Sequence, residues 1–248
     1  MIQKMIRSLV VVVCMVVTQV AVAQSRTVVN QPEFVFSPKS FDSNDNAQLV
    51  IAGHFSGYCM KVGATQHSVN RELFQIQIDN TVTLNGDCSD LDMYIPYSKV
   101  IDLGALPAGN YRVMVRAETG NYVKMADLPI NQAITTTQTG TTDERLYAPV
   151  TEIRFDGKNG DPNPQLTLMG YFTNSCLELD VVQVSYKSTN VIEVLPLVKK
   201  GQVGCQYSVK QFSKTITLKS FPAVDTLIHV RSMNGQSVNK IITNLDRI

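Results

Sequence analysis

Beyond its first two dozen residues the chain alternates apolar and polar positions with period two. Phe74-Gln75-Ile76-Gln77-Ile78, Tyr111-Arg112-Val113-Met114-Val115-Arg116 and Thr215-Ile216-Thr217-Leu218 all follow this pattern. Such alternation buries every second side chain, so it predicts β-strands with one face in a core. Residues 48–55 (QLVIAGHF) add β-branched and apolar side chains and then turn at Ser56-Gly57. Asn234-Gly235 is the strongest hairpin signal, and Thr119-Gly120-Asn121 holds the corresponding place earlier in the chain. After the N-terminal segment there is no amphipathic helical stretch. The pattern predicts an all-β protein of packed sheets.

The pattern is also written twice. QLVIAGHFSGYC (48–59) returns as QLTLMGYFTNSC (165–176), 117 residues later. Upstream, Glu33-Phe34-Val35-Phe36 answers Glu152-Ile153-Arg154-Phe155; downstream, residues 100–120 answer residues 215–235, with Pro107 opposite Pro222, Arg116 opposite Arg231 and Gly120 opposite Gly235. A period near 100 residues means two copies of one domain rather than a solenoid of short repeats. Residues 131–145 (NQAITTTQTGTTDER) between the copies are polar and Thr-rich, a linker composition. The expected organisation is domain one at 24–131, a linker at 132–147, and domain two at 148–248, each a sandwich of about seven strands.

The first 23 residues read differently. Lys4 and Arg7 precede an apolar core over 9–17, and Ala21-Val22-Ala23 has the small-x-small form of a cleavage site. That is the anatomy of a secretory signal peptide, cleaved before Gln24. A bilayer span needs about 20 apolar residues, and Thr18 and Gln19 interrupt this run. Val13 stands before Cys14 where a lipoprotein would carry a small residue. The expected mature chain is exported to the periplasm or cell surface and has no transmembrane segment. It has 20 basic and 21 acidic side chains, which gives no electrostatic reason to bind nucleic acid.

Export changes the meaning of the cysteines. Cys59, Cys88, Cys176 and Cys205 remain after cleavage, and an even count in an oxidising compartment predicts disulfides. Each of the pairs 59/88 and 176/205 is 29 residues apart, and both shift by 117 between copies, so Cys59–Cys88 and Cys176–Cys205 are the expected intradomain bridges. A four-cysteine zinc site would want C-x-x-C pairs, and none is present.

A strand ending Ile51-Ala52-Gly53-His54-Phe55, then Met60-Lys61-Val62-Gly63, then Leu106-Pro107-Ala108-Gly109-Asn110-Tyr111, resembles the immunoglobulin-like IPT/TIG family. Copy two keeps Gly170-Tyr171-Phe172 and Phe221-Pro222. The resemblance implies two tandem immunoglobulin-like β-sandwich domains. It departs from antibody domains, whose cysteines flank a Trp at longer spacing; this chain has no Trp.

Chemistry is sparse. GHFSG (53–57) misplaces the serine of a nucleophile elbow by one position. The three histidines, His54, His67 and His229, form no H-x-x-x-H pair. His229, in an alternating strand, is expected at a surface or rim; His54, His67 and Met60 around the first bridge offer a copper alternative. Asp42-x-Asn44-x-Asn46 begins like a calcium loop, but Ala47 and Gly53 stand where Gly and Glu are required. A looser calcium site would draw on Asp42, Asp45, Asp156 and Asp161; the alternative is Asx turns. The acidic group Asp87, Asp90 and Asp92 reads the same way. No other cofactor is implied.

Domain one carries 8 basic and 11 acidic residues, domain two 11 and 8. Lys199 and Lys200 contribute to the difference, with Lys210, Lys214 and Lys219. The excess either keeps edge strands apart or steers docking, domain on domain or onto an acidic partner. The expected function is a non-enzymatic exported binding protein of the bacterial envelope, with a protein or envelope polysaccharide as partner. The other readings are a secreted or periplasmic protease inhibitor, a polysaccharide-binding module, and a hydrolase, for which no catalytic cluster is visible in either copy. Tyr94, Tyr97, Tyr207 and Phe212, with Lys199 and Lys200, are the candidate contact residues.

Overall fold

A computed structural model describes residues 25–86, 94–133, 146–158, 161–201, 204–219 and 224–243. These residues are all-β, with a single 3-10 turn at Met233–Gly235. The N-terminal half holds β1 (Ser25–Val29), β2 (Phe34–Phe36), β3 (Ala47–Phe55), β4 (Met60–Asn70), β5 (Gln75–Asn85), β6 (Ile95–Gly104), β7 (Gly109–Arg116) and β8 (Tyr122–Ile130). The C-terminal half holds β9 (Val150–Asp156), β10 (Gln165–Asn174), β11 (Leu177–Ser185), β12 (Val191–Lys200), β13 (Tyr207–Thr217), β14 (Thr226–Ser232) and β15 (Gln236–Ile242).

The two halves share a strand order. A three-stranded sheet β2-β3-β6 in the first corresponds to β9-β10-β13 in the second, and β4-β5-β7-β8 corresponds to β11-β12-β14-β15. β1 is an addition, pairing with the end of β5 at residues 81–85. The central pairs, β5 with β7 and β12 with β14, are parallel. This departs from antibody constant domains, where the strands divide four and three and the third strand adjoins the sixth. Here β5 and β12 occupy that inner place.

The alternation seen in the sequence packs as expected. Leu49 and Ile51 of β3, Ile76 and Ile78 of β5, and Val113 and Val115 of β7 share one core. Leu166, Leu168, Ile192, Val194, Ile228 and Val230 share the second. The β14–β15 loop needs positive φ at two successive residues, Asn234 (63°) and Gly235 (68°), which is why Asn-Gly stands there. Cys176 and Cys205 are bridged, with Cα atoms 5.2 Å apart. The bridge ties the β10–β11 turn to the segment entering β13. Cys59 is also disulfide-bonded; its expected partner Cys88 lies outside the described residues, as do Asp87, Asp90 and Asp92.

Some strands are buried on both faces. β3 and β14 are buried almost throughout and β12 over Val191–Pro196, because the halves dock sheet against sheet. The outer face of β2 and β3 (Phe34, Phe36, Val50, Ala52) forms one cluster with Val191, Leu227 and Ile241 of the second half. Polar groups are matched across the same contact. Arg231 forks onto Asp45, with Nη1 to Oδ2 at 2.9 Å and Nη2 to Oδ1, and the two side chains are 4% and 2% exposed. The guanidinium lies 5.1 Å from the Phe41 ring centre and 4.8 Å from that of Tyr147. Glu193 accepts the backbone N–H groups of Lys39 (2.7 Å) and Ser40 (2.9 Å) and the Ser40 hydroxyl (2.9 Å). Each half therefore brings a buried carboxylate that the other half satisfies, which buried charges require.

His229 sits in this contact, not at a surface or rim. It is 1% exposed, and its ring meets Phe41 edge-on at 5.6 Å. An alternating strand was read as having one wet face; docking of the other half has dried it. Burial holds the imidazole down at about 4, against a smaller upward pull from its hydrogen bond to Asn239.

The register also corrects the upstream repeat by one residue. Phe34 pairs with Ala52, whereas Met169, the counterpart of Ala52, pairs with Glu152. Phe34 and Phe36 thus correspond to Glu152 and Arg154. A one-residue slip exchanges the two faces of a strand. The docked outer face in the first half is apolar; on its counterpart in the second half Glu152 and Arg154 are exposed and Thr167 and Met169 half-buried.

Candidate functional site

The strand pair β3/β6 and its counterpart β10/β13 make the same local feature. Gly53 lies under the Tyr97 ring, and an added Cβ would stand 3.0 Å from it. Gly170 lies likewise beside Phe212, with a hypothetical Cβ 2.9 Å from that ring and 2.1 Å from the Pro149 carbonyl oxygen. Two residues on, Phe55 stacks on Tyr97 (4.5 Å between centres) and Phe172 packs at a tilt of 35° against Phe212 (5.1 Å). The G-x-F motif is thus a packing device: the glycine makes room for an aromatic from the neighbouring strand, and the phenylalanine seals it.

The residue between them faces outward. In the first half it is His54, whose Nδ1 is 3.2 Å from Glu33 Oε2 and whose ring meets Tyr94 edge-on at 5.6 Å. In the second half it is Tyr171, 47% exposed, with Val209 at the position of Tyr94. Each outer face carries a depression beside this residue. One, of about 410 Å³, is lined by Phe34, Ala52, His54, Pro96 and Ser98 and walled by Asp225, Lys240 and Ile241 of the other half. The other, of about 440 Å³, is lined by Met169, Tyr171, Gln211, Ser213 and Thr151, and all its lining residues belong to the second half.

The candidate contact aromatics divide. Tyr94 and Tyr207 are exposed, at 73% and 83%. Tyr97 is core: its hydroxyl donates to Asn30 Oδ1 at 2.6 Å, and burial, with Glu33 adding to it, pushes the phenol up to about 12. Phe212 packs against the second core. Both were read as loop anchors because they follow soon after the second cysteine of their copy; they are the rings that require the glycines. Lys199 pairs with Glu178 at 3.0 Å on the adjoining strand, and Lys200 is exposed. Lys210 and Lys214 alternate with the outward residues of β13, an edge strand, so they lie on its inward side, a placement that discourages another strand from pairing there.

The acidic loops are Asx turns. Asp45 accepts the Asp42 N–H at 2.8 Å and holds Arg231, so its oxygens are engaged. Asp42 accepts from the Asn44 N–H, and Asp161 from the Asn163 N–H at 2.9 Å. Asp156 closes β9 opposite Gln165. Among the described residues no three His, Cys, Asp or Glu side chains gather as a metal site would require. The copper set is separated as well: Met60 opens β4 and His67 lies seven residues along it, about 20 Å away at strand rise. No helix among the described residues is long and apolar enough to cross a membrane.

Sequence reasoning did not find the buried set Asp45, Glu193, His229 and Arg231, though the recurrence of arginine at 116 and 231 was a partial signal. It also passed over Tyr171 as a strand residue. No curated protein and no solved structure matches the chain. Residues 49–124, from β3 into β8, are similar to the ORF11 beta-sandwich domain family.

Proposed function

We propose that this is an exported, non-enzymatic binding protein of the bacterial envelope or cell surface. It is built of two tandem sandwich domains (24–131 and 148–248), immunoglobulin-like in the three-stranded sheet and with their own order in the other. The observation that carries this reading is the recurrence of one ring, His54 or Tyr171, beside one depression at the same place on both halves, walled by the other half at His54 and open at Tyr171. The Gly–aromatic packing beneath fixes the backbone on which that ring stands. Aromatic side chains present large contact area at low entropic cost, which suits them to recognition.

The test is a cross-linked capture from envelope extract with the oxidised protein as bait, beside a Tyr94→Ser/Tyr171→Ser double variant. The expected result is enrichment of a defined protein or glycan fraction that the double variant loses. Equal enrichment by both baits, or none by either, would refute the proposal.

A further inference from the structure

Resting on that binding reading, we infer that the outer face of β10 and β13 is a binding strip for a neutral polysaccharide. Four register pairs run along it: Tyr171 opposite Gln211, Met169 opposite Ser213, Thr167 opposite Thr215, and Gln165 opposite Thr217. Three two-residue steps make the strip about 20 Å long. None of these eight side chains is charged. A sheet face that is merely solvated carries interspersed charges of both signs, and the next strand, β9, does so with Glu152, Arg154 and Asp156.

The chemistry of the strip fits sugar. Tyr171 gives an exposed ring on which the C–H face of a pyranose can stack. Gln211 and Ser213 beside it, with Tyr171 itself, show no side-chain hydrogen bond within the described residues, so their polar groups are open to ligand hydroxyls. Thr167 and Thr215 share one at 2.9 Å further along. The strip itself holds no cation for a phosphate or uronic acid; the nearest on this face, Arg154 of β9 opposite Thr167, stands between Glu152 and Asp156. An extended peptide pairing with the free edge of β13 would meet Lys210 and Lys214, whereas a chain lying on the face avoids them. In the counterpart strip of the first half the β3 row, with Val50 and Ala52 at its centre, is covered by the second half, which leaves only the β6 row (Pro96, Ser98, Val100, Asp102) exposed, so among the described residues the full two-strand strip is open on the second half.

The test is calorimetric titration of the oxidised protein with cellohexaose, xylohexaose, chitohexaose and maltohexaose, and with hexagalacturonate as the charged control. The expected result is binding of at least one neutral hexasaccharide. Tyr171→Ala should weaken it tenfold or more, Tyr171→Phe threefold or less, and Gln211→Ala severalfold, each with an unchanged melting temperature. Binding unaffected by Tyr171→Ala, or a preference for the galacturonate, would overturn the inference. So would the absence of neutral-sugar binding; if a protein partner were still captured by the envelope bait, the binding reading would stand without this ligand.

Discussion

Protonation of His229 should loosen the docked sheets in acid, and the size of the effect follows from the geometry. Asn239 Nδ2 donates to Ser237 Oγ at 3.1 Å, so its Oδ1 is the acceptor for His229 Nδ1–H at 2.8 Å. The neutral ring then leaves Nε2 buried and without a partner. A second proton would sit on that atom beside Arg231, with Glu193, its strand neighbour, already committed to three donors from residues 39 and 40. The folded value near 4 lies below the ordinary 6.5. Between those values the unfolded chain binds the proton more readily than the folded one. The contribution of the neutral ring is therefore full above about pH 6.5, falls as pH drops, and is lost by about pH 4. A shift of that size corresponds to about 3 kcal/mol. The comparison variant is His229→Met, which carries the residue found at the matching position 114. Urea unfolding of both proteins from pH 7.5 to 3.5 cancels every other titrating group. The difference in unfolding free energy should move by about 3 kcal/mol in favour of the variant across that range. A difference that stays flat with pH would refute the assignment of a buried, neutral His229.

Arg231→Met should cost about 3–5 kcal/mol by leaving Asp45 buried and unpaired, and adding Asp45→Leu should recover much of it, in a double-mutant cycle by urea unfolding. Phe36→Ala, in the contact between halves, should cost about 3–5 kcal/mol by the same assay. Gly170→Ala should lower the melting temperature more than Gly53→Ala, since its Cβ meets a backbone carbonyl as well as a ring. Replacing Cys176 and Cys205 by serine should remove about 3–4 kcal/mol, the chain-entropy value for a loop of that length, read as a lower urea midpoint.

Much of the local structure was legible because its causes are local. Period-two alternation in residues 74–78 and 111–116 reports a buried face wherever that face is turned. Asn-Gly reports a loop because only those two successive residues accept positive φ cheaply. The equal spacing of the cysteine pairs indicated Cys176–Cys205. The site was less legible. Tyr97 and Tyr94 are three residues apart, a spacing that puts them on opposite faces of a strand, but the sequence does not say which face is core; Gly53 of the neighbouring strand makes the room that Tyr97 fills. Phe34 was matched to the wrong residue of the second copy, since a three-residue strand leaves the register to its hydrogen-bonding partner.

The sequence by itself determined the all-β class, the repeat of a strand pattern and the Asn-Gly loop. These follow from backbone sterics and from which residues avoid water. Tertiary structure alone decided which strand faces stay wet. His229 and Asp45 read as rim and loop residues, and Arg231 and Glu193 carried no such reading, until two sheets from distant parts of the chain close over all four. Tyr171 and its uncharged neighbours read as one side of an ordinary strand until the matching row of β3 proves covered and theirs does not. Contact between faces 100 or more residues apart leaves no period in the sequence, because each strand carries only its own half of the interface.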